Sequence, residues 1–220
     1  PSVLNRYGAN GAEALIVQAV AETNQAYANS GVTARINLVA AVLTNYSESG
    51  SMPTDLGRLR ATNDGYMDEL HDLRDSYGAD LVTLIEDNGD YCGYAYIMSS
   101  LSTGFASSGF SVVKDSCATG YYSFAHELGH NQGAHHDPDN AGSSSMYPYA
   151  HGYQEPFNDF RTVMAYNCPG GCKRVAWFSN PDVLYNGKPT GTSSNNDNTR
   201  TLNNTAATVA SFRTGSTPTE

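Results

Sequence analysis

Basic residues are scarce in this chain: 12 Lys and Arg stand against 22 Asp and Glu in 220 residues, for a net charge of −10. A nucleic-acid partner calls for a basic face, so that class is excluded, while the acidity favours solubility without naming a ligand. No apolar run reaches the roughly 20 residues that cross a bilayer, which excludes a membrane span. An initiator methionine and a signal peptide are both missing. The start at Pro1 therefore reads as a processed end, suited to an enzyme made with a removable leader and an inhibitory pro-segment. Charged residues are only 15% of the total, whereas 40% are apolar, enough to bury a core in one large domain or two small subdomains without repeats. A monomer is expected.

Cysteines are few but even in number. Cys92, Cys117, Cys168 and Cys172 permit three pairings, of which Cys92 with Cys117 and Cys168 with Cys172 is favoured. A second metal site or free thiols are the alternatives for the last two. Cys168-Pro-Gly-Gly-Cys172 has no nearby histidine, however, and its turn residues bring the sulfurs together. Disulfides, with abundant Gly, Ser, Thr, Asn and Tyr, point to a secreted protein in an oxidising compartment.

What is present centres on HELGHNQGAHHD at 126–137. On a helix His126 and His130 lie one turn apart on one face, so both imidazoles reach one ion, with Glu127 beside them. Gly133 supplies the left-handed turn that brings His136 back as a third ligand. Three His and one Glu in this spacing describe a catalytic zinc site. His135 is one residue out of register, and His71 and His151 read as structural.

Along the chain, 11–29 is a helix by apolar spacing, and 35–46 (RINLVAAVLTNY) reads as a strand buried on both faces. Residues 54–77 read as a second helix, 79–87 as another buried strand, 91–98 as an edge strand or hairpin arm, and 110–117 as the last strand before the zinc helix. The alternation gives α/β (α+β) character through a right-handed crossover. From 137 to 156 the chain is mostly loop. Leu202, Ala206, Val209 and Phe212 mark a C-terminal helix, with a frayed tail after Arg213.

The complete pattern H-E-x-x-H-x-x-G-x-x-H from His126 to His136 resembles the metzincin zinc peptidases. Asp137 after the third histidine looks like the adamalysin or reprolysin branch, and the run of elements from 11 to 212 is similar to bacterial peptidyl-Asp metallopeptidases. The resemblance implies a twisted, mixed sheet of four to five strands with helices in an N-terminal subdomain, 1–133, and an irregular C-terminal subdomain, 134–220. A cleft then splits one catalytic domain. TVMAY at 162–166 resembles the family's methionine turn, with Met164 beneath the metal. Tyr166 departs toward the astacin and serralysin branches, where a tyrosine helps bind the transition-state oxyanion. A second departure is at the front, where the family's first strand should precede the first helix but only PSVLNRY is available. That strand is cut away, supplied by another segment, or very short.

The function implied is a zinc endopeptidase acting on proteins or peptides. A metal-activated water attacks the peptide carbonyl, Glu127 serves as general base, and the strand near 91–110 holds an extended substrate. Lys173 and Arg174 lie where the substrate pocket is expected; the peptidyl-Asp resemblance implies that they read an acidic residue after the scissile bond, and a solvated basic pair is the plain alternative. Rival functions are a degradative protease without acidic preference and a non-catalytic zinc module or toxin-like binding protein. Asp87-Asn88-Gly89-Asp90 reads as a polar turn or as a calcium site.

Overall fold

The computed structural model describes residues 1–142 and 144–213; the tail after Arg213, expected to fray, lies outside them. Helix α1, Ser2–Ser30, is longer than its apolar pattern suggests because SVLNRY is itself helix-compatible. It breaks at Gly8, which takes φ +67° and ψ 173°. Its buried face carries Ala12, Ala19, Val20, Ala26 and Tyr27.

The single helix expected over 54–77 is two: α2, Met52–Arg60, and α3, Glu69–Tyr77. Gly65 and Met67 both take positive φ between them, so the chain turns and brings Leu59 and Met67 into one apolar cluster. A continuous helix would spread those side chains along one axis instead.

Strands β1 (Val82–Glu86), β2 (Gly93–Ala95) and β3 (Phe110–Lys114) form one sheet in the order β1-β3-β2. β3 runs parallel to β1 and antiparallel to β2, with Leu84 and Tyr94 both opposite Val112. Val112 and Val113 are fully buried, as the central position requires.

The sheet therefore has three strands among the described residues, and 35–46 does not join it. That run is not in a ladder, and Val39, Val42 and Leu43 are 43%, 47% and 66% exposed. A cavity of about 490 Å³ is lined by this run, including Ile36, Leu38 and Val42, and by Thr83, Leu84 and Ile85 of β1. β-branched apolar sequence reports a preference for a pleated, buried surface, but a strand also needs a partner within hydrogen-bond reach. Here the side chain of Asn24 bonds both main-chain groups of Ile36 and holds the run against α1.

β3 leads through α4, Asp115–Ala118, into α5, Ser123–Asn131. Asn131 donates to the carbonyls of Tyr96 (2.8 Å) and Phe110 (3.1 Å), while Met98 N donates to His130 O (3.1 Å). Gln132 Nε2 donates to the buried Tyr27 hydroxyl at 2.6 Å, so α5 is pinned between sheet and α1. Both expected disulfides are present, Cys92–Cys117 and Cys168–Cys172.

After α5, regular structure is sparse. β4 (Phe160–Arg161) pairs parallel with β5 (Lys173–Arg174), and β6 (Leu184–Tyr185) pairs with β7 (Lys188–Pro189). Helix α6, Asn198–Val209, is capped by Asp197, whose side chain accepts from Arg200 N. One apolar cluster joins Tyr27, Ala125, Met164, Phe178 and Leu202, tying α1, α5 and α6 to the segment beneath the site.

Glu86 ends β1 fully buried, with no donor on either carboxylate oxygen. Burial, then neighbouring Asp55, Glu48 and Asp90, raises its pKa from 4.5 to about 8. The folded protein binds this proton more tightly than the unfolded chain, so stability contributed here is complete below pH 4.5 and is lost as pH rises through 8. Glu86→Gln should melt several °C above the parent at pH 8.5, at about 2–4 °C per kcal/mol for this size, with a smaller gap at pH 4.5. A gap that does not widen with pH in thermal melts would refute this.

Candidate metal centre and active site

Helix α5 buries His126, Glu127 and His130, which are 6%, 5% and 4% exposed. The helix ends where Gly133 takes φ +89°, with Ala134 N donating to Gly129 O (2.9 Å) and Gly133 N to His130 O (3.0 Å). This αL closure reverses the chain. His135 is then fixed through main-chain bonds to Ala150 and Gly152, and its imidazole faces His151, away from the cluster.

His136 Nε2 comes to 3.1 Å from His126 Nε2 and 2.9 Å from His130 Nε2. Each Nδ1 points at a carbonyl: His126 at Val163 (2.9 Å), His130 at Ala134 (2.9 Å) and His136 at Asn140 (3.3 Å). A carbonyl only accepts, so Nδ1 carries the proton and each Nε2 presents a lone pair. Burial, and after it the neighbouring imidazoles, lowers the pKa of His126 far below normal and that of His130 to about 3; burial also lowers His136. Three neutral imidazoles with converging lone pairs suit a shared cation. The donor set fits zinc with an open fourth position. Among the described residues these histidines are the one group of three ligand-type side chains whose ligand atoms lie within 4.8 Å of each other.

Glu127 sits beside them. Burial raises its pKa to about 8, opposed by the charge of Arg174. Gly93 of β2 passes over it so closely that a methyl there would collide with Glu127 Oε1. Met164 is wholly buried, and a methyl at Gly129 would stand 2.6 Å from its sulfur, so the methionine packs directly under α5. Asp137, 2% exposed, accepts from Tyr166 N at 2.8 Å and from Asn140 Nδ2 at 2.7 Å. The Tyr166 ring lies 4.3 Å from that of His136, and burial, then Glu127, raises its pKa.

The other sequence candidates lie elsewhere. Lys173 is exposed. His151 Nδ1 meets His136 O at 2.9 Å, and His71 Nε2 meets Ala61 O at 2.8 Å, both structural contacts. Asp87 pairs with Arg6, and Asp90 accepts from Met52 N at 3.1 Å. Sequence reasoning missed Gly93, Tyr121 and Arg161. The only signals for them are a glycine beside Cys92 and a second arginine before the methionine turn.

A family profile described as metallo-peptidase family M12 (Reprolysin_5) matches residues 2–179. The chain belongs to this family. It is similar to peptidyl-Asp metalloendopeptidases of Xanthomonas campestris pv. campestris (49% identity, 94% of this chain, 48% of the relative) and Stenotrophomonas maltophilia K279a (48%, covering 96% and 50%). A third, from Pseudomonas fragi, is 40% identical over 87% of this chain and all of the relative. The chain thus spans about half the length of the first two relatives. A solved structure titled "Structure of a chaperone-substrate complex" shares the fold, with TM-score 0.73 at 19% identity over 96% of this chain and 33% of that one.

In this M12 chain, β2 and the carboxylate of Glu127 leave no room for a side chain at position 93. On the catalytic role proposed below for Glu127, Gly93→Val should lower peptide hydrolysis by about 10²-fold through an ångström-scale displacement of that carboxylate, with metal content unchanged. Parental turnover in that variant would show that the close approach has no bearing on Glu127.

Proposed function

We propose that the chain is the catalytic part of a secreted zinc endopeptidase that cleaves internal peptide bonds of proteins, with a preference for an acidic residue beside the cut. The observation that carries this reading is the convergence of three Nε2 lone pairs next to a buried carboxylate. His126, His130 and His136 would hold the ion. Zinc bound there supplies Lewis-acid activation of the peptide carbonyl and a water, and a positive charge that favours the ionised form of Glu127.

Glu127 accepts the proton of the attacking water and delivers it to the leaving amine. Its burial keeps that proton from bulk solvent. β2 is the edge of its sheet, so its free side can bind an extended substrate through main-chain hydrogen bonds, which suits cleavage within a chain. Asp137 orients the methionine turn through Tyr166 N, and Met164 supports the helix from below. The peptidyl-Asp names of the relatives and the nearness of Arg174 to Glu127 support acidic preference. A purely binding module has no need of a carboxylate beside the metal ligands. Two disulfides support secretion.

Glu127→Ala should retain one equivalent of zinc and lose casein hydrolysis by about 10²–10⁴-fold. Activity surviving in that variant, or in metal-free parent protein, would sink the mechanism. For Tyr166, whose ring adjoins His136, a phenol donor to the developing oxyanion predicts that Tyr166→Phe lowers kcat by about 10²-fold. A change of less than a few fold with zinc retained would assign the ring to packing.

A further inference from the structure

The two arginines of the β4–β5 pair, buried Arg161 and half-buried Arg174, have no counter-charge among the described residues. Arg161 and Arg174 are register partners across those strands. Arg161 is 3% exposed, donating Nη1 to Ala165 O (2.6 Å) and Nη2 to the Tyr121 hydroxyl (3.0 Å). Arg174 donates Nη1 to Tyr121 O (3.0 Å) and Nη2 to Ala165 O (3.5 Å). Both guanidinium carbons lie over the Tyr121 ring, at 5.5 and 4.6 Å from its centre. The Nε of each is buried and has no acceptor.

We propose that Arg161 and Arg174, seated together on Tyr121, form the pocket that receives the carboxylate of the substrate residue next to the scissile bond. The assignment rests on the endopeptidase reading above and supplies its specificity determinants. Arg6 and Arg213 find aspartate partners, whereas Arg161 and Arg174, like buried Arg74, make no ion pair among the described residues, and these two are register partners on one tyrosine ring. Two like charges placed side by side, one buried and one half-buried, cost free energy, which an incoming carboxylate offsets. A guanidinium has five N–H groups, so unused donors remain on both, and a carboxylate can take them in pairs.

Position favours substrate over any remote anion. Both arginines hang from the carbonyl of Ala165, between Met164 and Tyr166, whose ring touches His136. Arg174 lies within electrostatic reach of His126, His136 and Glu127. Burial, then Arg161, holds its pKa down to about 10, the sign expected of an unneutralised pair. Lys173 is exposed on the alternate face of β5 and takes no part.

The test uses zinc-loaded protein and fluorogenic peptides identical except for Asp, Asn or Ala after the cut. Parent protein should favour Asp over Asn in kcat/KM by about 10²-fold or more, since buried donors left unpaired penalise the neutral analogue. Arg161→Gln and Arg174→Gln should each cut that ratio at least tenfold, Arg161→Lys should recover part of it, and Lys173→Gln should leave it alone. Zinc content and circular dichroism are read on every variant. A competition assay needs no variant: a short peptide beginning with Asp should inhibit cleavage of the Ala peptide by parent protein, and its Asn counterpart should not. An unchanged ratio in both Gln variants, or equal inhibition by the two short peptides, overturns the pocket. Parent protein that cleaves all three substrates equally also overturns it but leaves the endopeptidase reading standing. Failure to cleave any of them overturns both.

Discussion

Three neutral imidazole nitrogens converge, with His136 Nε2 3.1 Å from that of His126 and 2.9 Å from that of His130, and most of the molecule serves that arrangement. Nothing intrinsic to the histidines favours it. Each ring is aimed by donating its other nitrogen to a carbonyl, and the carbonyls belong to three separate places: Val163 before Met164, Ala134 at the end of α5, and Asn140 beyond His136. Moving any one of these backbones by an ångström turns a ring and breaks the convergence.

The backbones are held by close packing rather than by sheet hydrogen bonds. Gly129 lets Met164 and Phe178 come against α5, and Gly152 lets the main chain of Ala165 approach where any side chain would collide. Met164 and Phe178 belong to the same cluster as Tyr27 and Leu202. Contact at this density transmits a displaced methyl to its neighbours, so α1, α5, the methionine turn and α6 act on the histidines as one solid. Asp137 adds the directional element, since its buried carboxylate links the third histidine's own loop to Tyr166 N.

Legibility in the sequence followed the range of the interaction. His126, Glu127, His130 and Gly133 were readable because the helix repeat and one left-handed residue settle their relation within eight positions. The contact of Asp137 with Tyr166 spans 29 residues, and the registration of Arg161 with Arg174 depends on two short strands with no apolar period to betray them. Residues 35–46 carry the composition of a buried strand, but composition cannot report whether a neighbour stands 4.8 Å away. The break between α2 and α3 was hidden for a related reason. Met67 adopts positive φ under tertiary constraint, which no propensity anticipates.

The groups around the centre share one electrostatic character. Imidazoles are kept neutral, Glu127 is pushed toward its protonated form, and two arginines sit without counter-charge, each state less comfortable than the same group in water. Taken singly these look like defects in a chain where Arg6 and Arg213 find aspartates. Taken together they are complementary to one ligand set. A cation among the imidazoles would draw Glu127 back to its ionised state, and a carboxylate delivered to Arg161 and Arg174 would neutralise the pair as a peptide bond came to lie against β2. Binding energy gained at the arginines would thereby be tied to correct placement of the carbonyl beside Glu127, which is the condition under which specificity appears in turnover as well as in affinity.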